Sequence, residues 1–191
     1  FKGRSCTVLV MRVPITFSPQ DESHVTEVLE ANNIPRTHWI KSRWAKAPAC
    51  HSGTQNTAHL MIHLSDINTA NEIILHDMTI FNLHHPAVKN KKEPIKCAKC
   101  QGRDHITAKC ISKEDVCRIC GMQHHMSECP NTATGPKRCV SCDISDHSSQ
   151  DHDCPTFLRK CKEYSKQHPE NSLPSYPAVE PWTWSPQPPT E

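Results

Sequence analysis

Glycine and aromatic side chains are scarce in this chain. Among 191 residues there are five Gly, four Trp, four Phe and two Tyr, and apolar residues make up only 36%. So lean a composition cannot fill one large core; it suits one globular domain joined to small modules. Long apolar runs are missing as well. No stretch approaches the roughly eighteen residues that span a bilayer, and the first apolar run is bracketed by Arg4 and Arg12, unlike a signal peptide. The chain therefore reads as soluble and intracellular, cytoplasmic or nuclear, with no membrane partner. Catalytic signatures are absent: there is no H-E-x-x-H, no P-loop and no nucleophile elbow. Asp143, Asp146, Asp151 and Asp153 form the one carboxylate cluster, and a solvated loop accounts for them.

A strong excess of one charge is lacking too. The formal net charge is +2. Residues 1–88 hold seven basic and seven acidic side chains, residues 89–161 thirteen and nine, and residues 162–191 two and four. Affinity for a polyanion would have to come from local clusters rather than from a global field.

Cysteine, in contrast, is abundant, and nine of the twelve fall into one repeated spacing. Cys97, Cys100, His105 and Cys110 read C-x2-C-x4-H-x4-C; Cys117, Cys120, His124 and Cys129 read C-x2-C-x3-H-x4-C; Cys139, Cys142, His147 and Cys154 read C-x2-C-x4-H-x6-C. Two cysteines separated by two residues turn both sulfurs inward, and a short loop returns a His and a Cys to complete a tetrahedron around zinc. Segments this short cannot bury a core, so metal must supply the folding energy, about 10 kcal/mol per site. The expectation is three Zn2+ per chain in a reducing compartment, with Cys6, Cys50 and Cys161 left over. In the third site His152 and Cys161 are rivals to His147 and Cys154; His147 is preferred because its loop repeats that of the first knuckle. His125 rivals His124 in the second. Each site uses all four ligands, which speaks against an enzyme, since catalytic zinc keeps an open position.

The fold class expected is α+β. Ser5–Pro14 reads as a strand, Ser18-Pro19 as a helix start running to Asn32-Asn33, His38–Trp44 as a strand with Trp39, Lys41 and Arg43 on one face, and Ala58–Leu64 as a strand with Leu60, Ile62 and Leu64 opposite His59, Met61 and His63. Ser65-Asp66 caps a second helix through about His76, and Met78–Leu83 is a fourth strand. The order over 1–88 is βαββαβ, a ferredoxin-like, split βαβ arrangement, and it resembles the RNA-recognition-motif (RRM-like) fold. A basic linker (89–96), knuckles at 97–110, 117–129 and 139–154, a short helix (155–167) and a Pro-rich extended tail (168–191) complete the organisation.

Glu93-Pro-Ile-Lys-Cys-Ala-Lys-Cys-Gln101, Asp153-Cys-Pro-Thr-Phe-Leu-Arg-Lys-Cys161, His168-Pro-Glu-Asn-Ser-Leu-Pro174 and Glu180-Pro-Trp-Thr-Trp184 carry a more specific resemblance. An RRM-like domain followed by three CCHC knuckles looks like the Gag-like protein of fungal non-LTR (LINE-type) retrotransposons. That resemblance implies a protein that coats its element's own transcript, with single-stranded RNA as main partner, single-stranded DNA as a second, and self-association. Lys89, Lys91, Lys92, Lys96, Lys99, Arg103, Lys109, Arg118, Lys137 and Arg138 are the candidate phosphate contacts. Two departures stand out. Asp104 occupies the place before the first knuckle's histidine where Gly is usual, and no Phe, Trp or Tyr lies between Cys97 and Cys154. Ile106, Met122, Met126, Val140 and Ile144 are the apolar residues left to meet bases. A protein–protein interaction or self-assembly module stands as the alternative.

Overall fold

Alternation of apolar and polar side chains produces β1 (Cys6–Pro14), whose Cys6, Val8 and Val10 are buried on one face. Arg12 interrupts the alternation with a left-handed backbone (φ 58°), shifting the register between Val10 and Val13 so that Val13 also reaches the core. The computed structural model describes residues 5–130 and 135–186; residues 1–4 of the expected domain, 131–134 of the connection before the third knuckle and 187–191 of the expected tail lie outside the described residues. No helix among the described residues is long and apolar enough to cross a membrane.

Helix α1 (Glu22–Ala31) starts later than Ser18-Pro19 suggested. Those residues form a turn closed by Asp21 N–H to Ser18 O (3.1 Å), and Asp21 is the cap, its carboxylate accepting from Ser23 N–H at 2.9 Å. Strand β2 (Trp39–Trp44) and β3 (Thr57–Leu64) follow, then α2 (Ile67–His76), capped by Asp66 through Thr69 N–H. Leu60, Ile62 and Leu64 are fully buried against Val25, Val28 and Leu29 of α1 and Ala70 and Ile73 of α2, each large side chain contributing about 1.5–3 kcal/mol.

Two corrections concern the strands. Trp39 does not share a face with Lys41 and Arg43. A register shift between Trp39 and Lys41 inserts one residue, so Trp39 pairs with Leu64 on the buried side while Lys41 and Arg43 pair with His63 and Met61 on the open side. The stretch Met78–Leu83 is not the fourth strand of the sheet. It divides into β4 (Met78–Ile80) and β5 (Leu83–His85), a separate hairpin turned by Phe81 and Asn82 at positive φ. Asn32 pins that hairpin to the end of α1, exchanging hydrogen bonds with Thr79 N–H (2.8 Å) and C=O (2.7 Å). The fourth strand is β6 (Ala87–Lys89), and the antiparallel sheet runs β2-β3-β1-β6.

The described residues form two compact units, one reaching Lys91 and resumed from Glu170, the other Lys92–Pro169. From Glu170 on, the segment read as an extended tail is thus part of the first unit as far as it is described. Tyr176 exchanges main-chain hydrogen bonds of 2.8 Å with the buried Asn71 side chain, and its hydroxyl donates to Thr7 O (2.7 Å) and accepts from Thr7 N–H (2.9 Å). Burial pushes the Tyr176 phenol up to about 12, despite the hydrogen bond to Thr7. The second unit contains the knuckles and α3 (Pro155–Gln167), whose Phe157 is buried beside Cys139 and Cys154.

Candidate metal centres

One backbone device recurs three times. The residue after each second cysteine donates its N–H to the first cysteine's carbonyl: Gln101 to Cys97 (3.0 Å), Gly121 to Cys117 (2.9 Å), Asp143 to Cys139 (2.8 Å). The first cysteine's N–H in turn donates to Gly102, Met122 or Ile144 O at 2.7–2.9 Å. The turn requires positive φ at that position, and Gln101 (62°), Gly121 (71°) and Asp143 (60°) all have it. The left-handed residue of the first knuckle is therefore Gln101, not Asp104. Gly102 is tightly placed, since a Cβ there would stand 3.3 Å from Cys100 Sγ.

These turns gather twelve side chains into three clusters, Cys97/Cys100/His105/Cys110, Cys117/Cys120/His124/Cys129 and Cys139/Cys142/His147/Cys154, with the candidate ligand atoms of each within 4.8 Å of one another. Zinc bound at about 2.3 Å by sulfur and 2.0–2.1 Å by nitrogen would hold tetrahedral sulfurs about 3.8 Å apart and a sulfur and nitrogen about 3.5 Å apart. Cys120 and Cys129 are 3.8 Å apart, and Cys139 and Cys154 3.7 Å. Cys100 to His105 Nε2 is 3.4 Å and Cys120 to His124 Nε2 is 3.6 Å. Cys142 to Cys154, at 3.1 Å, is closer than the tetrahedron asks. The geometry fits zinc, and His147 Nε2, buried in its cluster with no hydrogen-bond partner, is an atom a metal would satisfy. The rivals lie elsewhere: His125 bonds Ser127, and His152 faces Glu93 and packs edge-on against Phe157.

The electrostatics favour thiolate at one cysteine of each cluster. Burial raises the Cys97 and Cys117 thiols, but backbone N–H groups of Cys100 and Lys99, and of Cys120 and Ile119, outweigh it and bring them to about 6 and about 7. Cys142 comes to about 6 for a different reason, because Thr156 and Cys154 outweigh its burial. Burial, with Cys142 beside it, pushes Cys154 up to about 11, so loading the third site at neutral pH must displace its proton as well as one from His147. Asp146 accepts from His147 Nδ1, orienting the ring with Nε2 inward and raising the imidazole to about 9.

The knuckles are joined to one another. Val116 N–H donates to Lys99 O (2.8 Å) and the buried Gln101 amide to Val116 O (3.1 Å), linking the first to the second. Arg138 N–H donates to Ile119 O (3.0 Å) and Ser149 N–H to Arg118 O (2.9 Å), linking the second to the third. Ser141 reaches Gln101 O at 3.4 Å, and Lys160 of α3 pairs with Asp104 at 3.4 Å. Sequence reasoning missed Gln101, Asp146, Ser149 and Phe157. Only Gln101 carried a local signal, the position after the second cysteine.

The ten candidate phosphate contacts separate. Lys91, Lys92, Lys109 and Arg118 are exposed, and Lys99 and Lys137 are half-buried. Arg138 is exposed but paired with Asp143. Lys96 and Arg103 are half-buried; burial first, then the charges of Arg103 and Arg118, lower the Lys96 ammonium. Lys89 is a correction. It is buried, its ammonium donates to the carbonyls of Glu170 (2.5 Å), Ser175 (3.0 Å) and Leu173 (3.4 Å), and it stands 4.9 Å over the Tyr176 ring, so it holds the C-terminal segment and faces no ligand. Ile106, Met122, Met126, Val140 and Ile144 are all exposed.

Comparison of the chain with protein-family models, with curated proteins and with solved structures gives no match. What is established rests on the geometry: three Cys3His clusters, each positioned to coordinate one metal ion, as three Zn2+ per chain require.

Proposed function

We propose that the chain is a zinc-dependent single-stranded nucleic-acid-binding protein, a Gag-like coat and chaperone for the RNA of a retrotransposon. The observation that carries this reading is the set of three Cys3His clusters in one unit, with exposed small apolar residues beside exposed cations. Metal-folded knuckles offer unpaired bases both apolar contacts and backbone donors, while Lys and Arg meet the phosphates. Four ligands in each cluster leave no position for a reacting water, which supports binding rather than catalysis.

The Gag-like and RNA-recognition-motif parts of the proposal draw on the resemblance and on the strand order β2-β3-β1-β6 with two helices on one face, the arrangement a split βαβ unit produces. Among the described residues, the open face of that sheet presents His59, Met61, His63, Lys41 and Arg43 and no Phe, Trp or Tyr, so the knuckles are the principal RNA contact and the first unit contributes self-association. Burial, then Lys41 and Arg43, lower the His63 imidazole.

The test is a titration of labelled single-stranded RNA and DNA with the zinc-loaded chain at several salt concentrations, repeated after chelation. Salt-dependent binding that chelation abolishes is expected. Binding that survives chelation, or no binding beside a stable self-assembly, rejects the proposal in favour of a protein-contact module.

A further inference from the structure

Where the knuckles meet, two cations converge on one neutral carbonyl. Lys96 Nζ and Arg103 Nη2 both donate to Ser149 O, at 3.3 and 3.2 Å. Ser149 is itself held from the second knuckle, its N–H donating to Arg118 O at 2.9 Å. Cys139 and Glu93 also act on Lys96, but less than its burial and the neighbouring arginines. Arg103 Nε is buried without a hydrogen-bond partner, a state rare for a charged donor unless a ligand completes it. The guanidinium is already held in place, 4.6 Å over the buried Phe157 ring.

Beside this group lies a cavity of about 170 Å³ whose lining includes Lys96, Arg103, Gln150 and His152. Two acids also border it: Asp151 is engaged by Ser148 N–H at 2.7 Å, and Glu93 faces His152, another wall of the cavity, at 3.7 Å. The cavity is smaller than the roughly 300 Å³ at which small-molecule sites begin, so it admits a compact anion rather than a whole nucleotide. A guanidinium with a free Nε–H beside a lysine ammonium suits tetrahedral oxygens, because the planar fork donates to two of them at once.

We propose that Lys96 and Arg103 form a seat for one phosphate group at the junction of the three knuckles. As a contact to a nucleic-acid phosphate the seat rests on the function proposed above; as an anion site it does not. Its parts come from all three knuckles, with Lys96 and Arg103 at the first, the Arg118 carbonyl that holds Ser149 in the second and the organising Ser149 carbonyl in the third. The seat therefore exists only when all three are folded, and the metal sites act together on affinity.

The experiment uses the zinc-loaded full chain labelled with ¹⁵N-arginine, so that the Arg103 Nε–H is observed directly by NMR. Inorganic phosphate and a single-stranded oligouridine are titrated in separate arms, with RNA binding followed in parallel by anisotropy. A shift of the Arg103 Nε–H in both arms, saturating at lower concentration with oligouridine, establishes the seat as a nucleic-acid contact. A shift with phosphate alone establishes an anion site whose source is free phosphate. No shift in either arm overturns the seat, and intact RNA binding in the same samples would then leave the wider function standing. Lys96→Gln and Arg103→Gln are each expected to weaken oligouridine about tenfold and to lower the salt slope by about one, with three zinc ions retained. Lys113→Gln, at an exposed lysine outside the seat, is expected to change neither. Seat variants that behave like Lys113→Gln overturn the proposal.

Discussion

Lys89→Met separates an anchoring lysine from a phosphate-binding one. The substitution keeps the apolar stem and removes the ammonium that donates to Glu170, Leu173 and Ser175 and stands over Tyr176. Hydrogen bonds to a charged group contribute about 1.5–3 kcal/mol each, but the variant also escapes the several kcal/mol needed to desolvate an ammonium. The residue is 7% exposed, so little solvent screening reduces either effect. The net loss expected is about 3 kcal/mol, in the range for removing one side of a buried charge network. For a unit of this size that is a fall of about 10–15 °C in Tm. Tryptophan fluorescence isolates the effect, because Trp39, Trp44, Trp182 and Trp184 are the chain's four tryptophans and all belong to the first unit. RNA affinity and its salt slope are expected to stay unchanged. An unaltered melt together with a slope reduced by about one would refute the reasoning and return Lys89 to the phosphate contacts.

Other outcomes follow from the same geometry. The Tyr176 phenol titrates near 12 in the folded chain and near 10 unfolded, so its stabilisation is complete below pH 10 and lost as pH rises through 12; denaturant melts across that window should show a smaller pH-dependent loss for Tyr176→Phe than for the parent chain. Gly121→Ala meets only ordinary contacts with Arg138 but must keep φ at +71°, costing about 1 kcal/mol, and competition titration should show zinc held about fivefold more weakly at the second site. His147→Ala should lower the zinc content by one ion per chain while His152→Ala leaves it intact, as counted by metal analysis with all thiols reduced; the reverse result would move the third site onto His152.

Much of this was legible because it depends on local spacing. Cysteine pairs two residues apart dictate the knuckle turns whatever surrounds them, and the alternation through Leu60, Ile62 and Leu64 defines a buried face without tertiary help. What escaped depends on partners distant in the chain. Strand β6 is three residues after Pro86, and only its pairing of Ala87 and Lys89 with Val10 and Val8 makes it a strand. The inserted residue before Lys41 reverses the face of Trp39, and nothing in a Trp-Ile-Lys-Ser-Arg-Trp run announces it. Lys89 reads as part of a basic linker until residues 81 to 86 positions later supply its carbonyl partners. The orphaned Arg103 Nε is likewise invisible in sequence, since it arises from Phe157 and Ser149 closing over the first knuckle.

The measurement that bears most directly on the account is native mass spectrometry of the full chain under reducing conditions, counting zinc per polypeptide. Three ions are predicted, held by nine cysteines and three histidines, with every ligand thiol protected from alkylation until a chelator is added. Two ions or fewer with all thiols reduced, or disulfides among those nine cysteines, would contradict it.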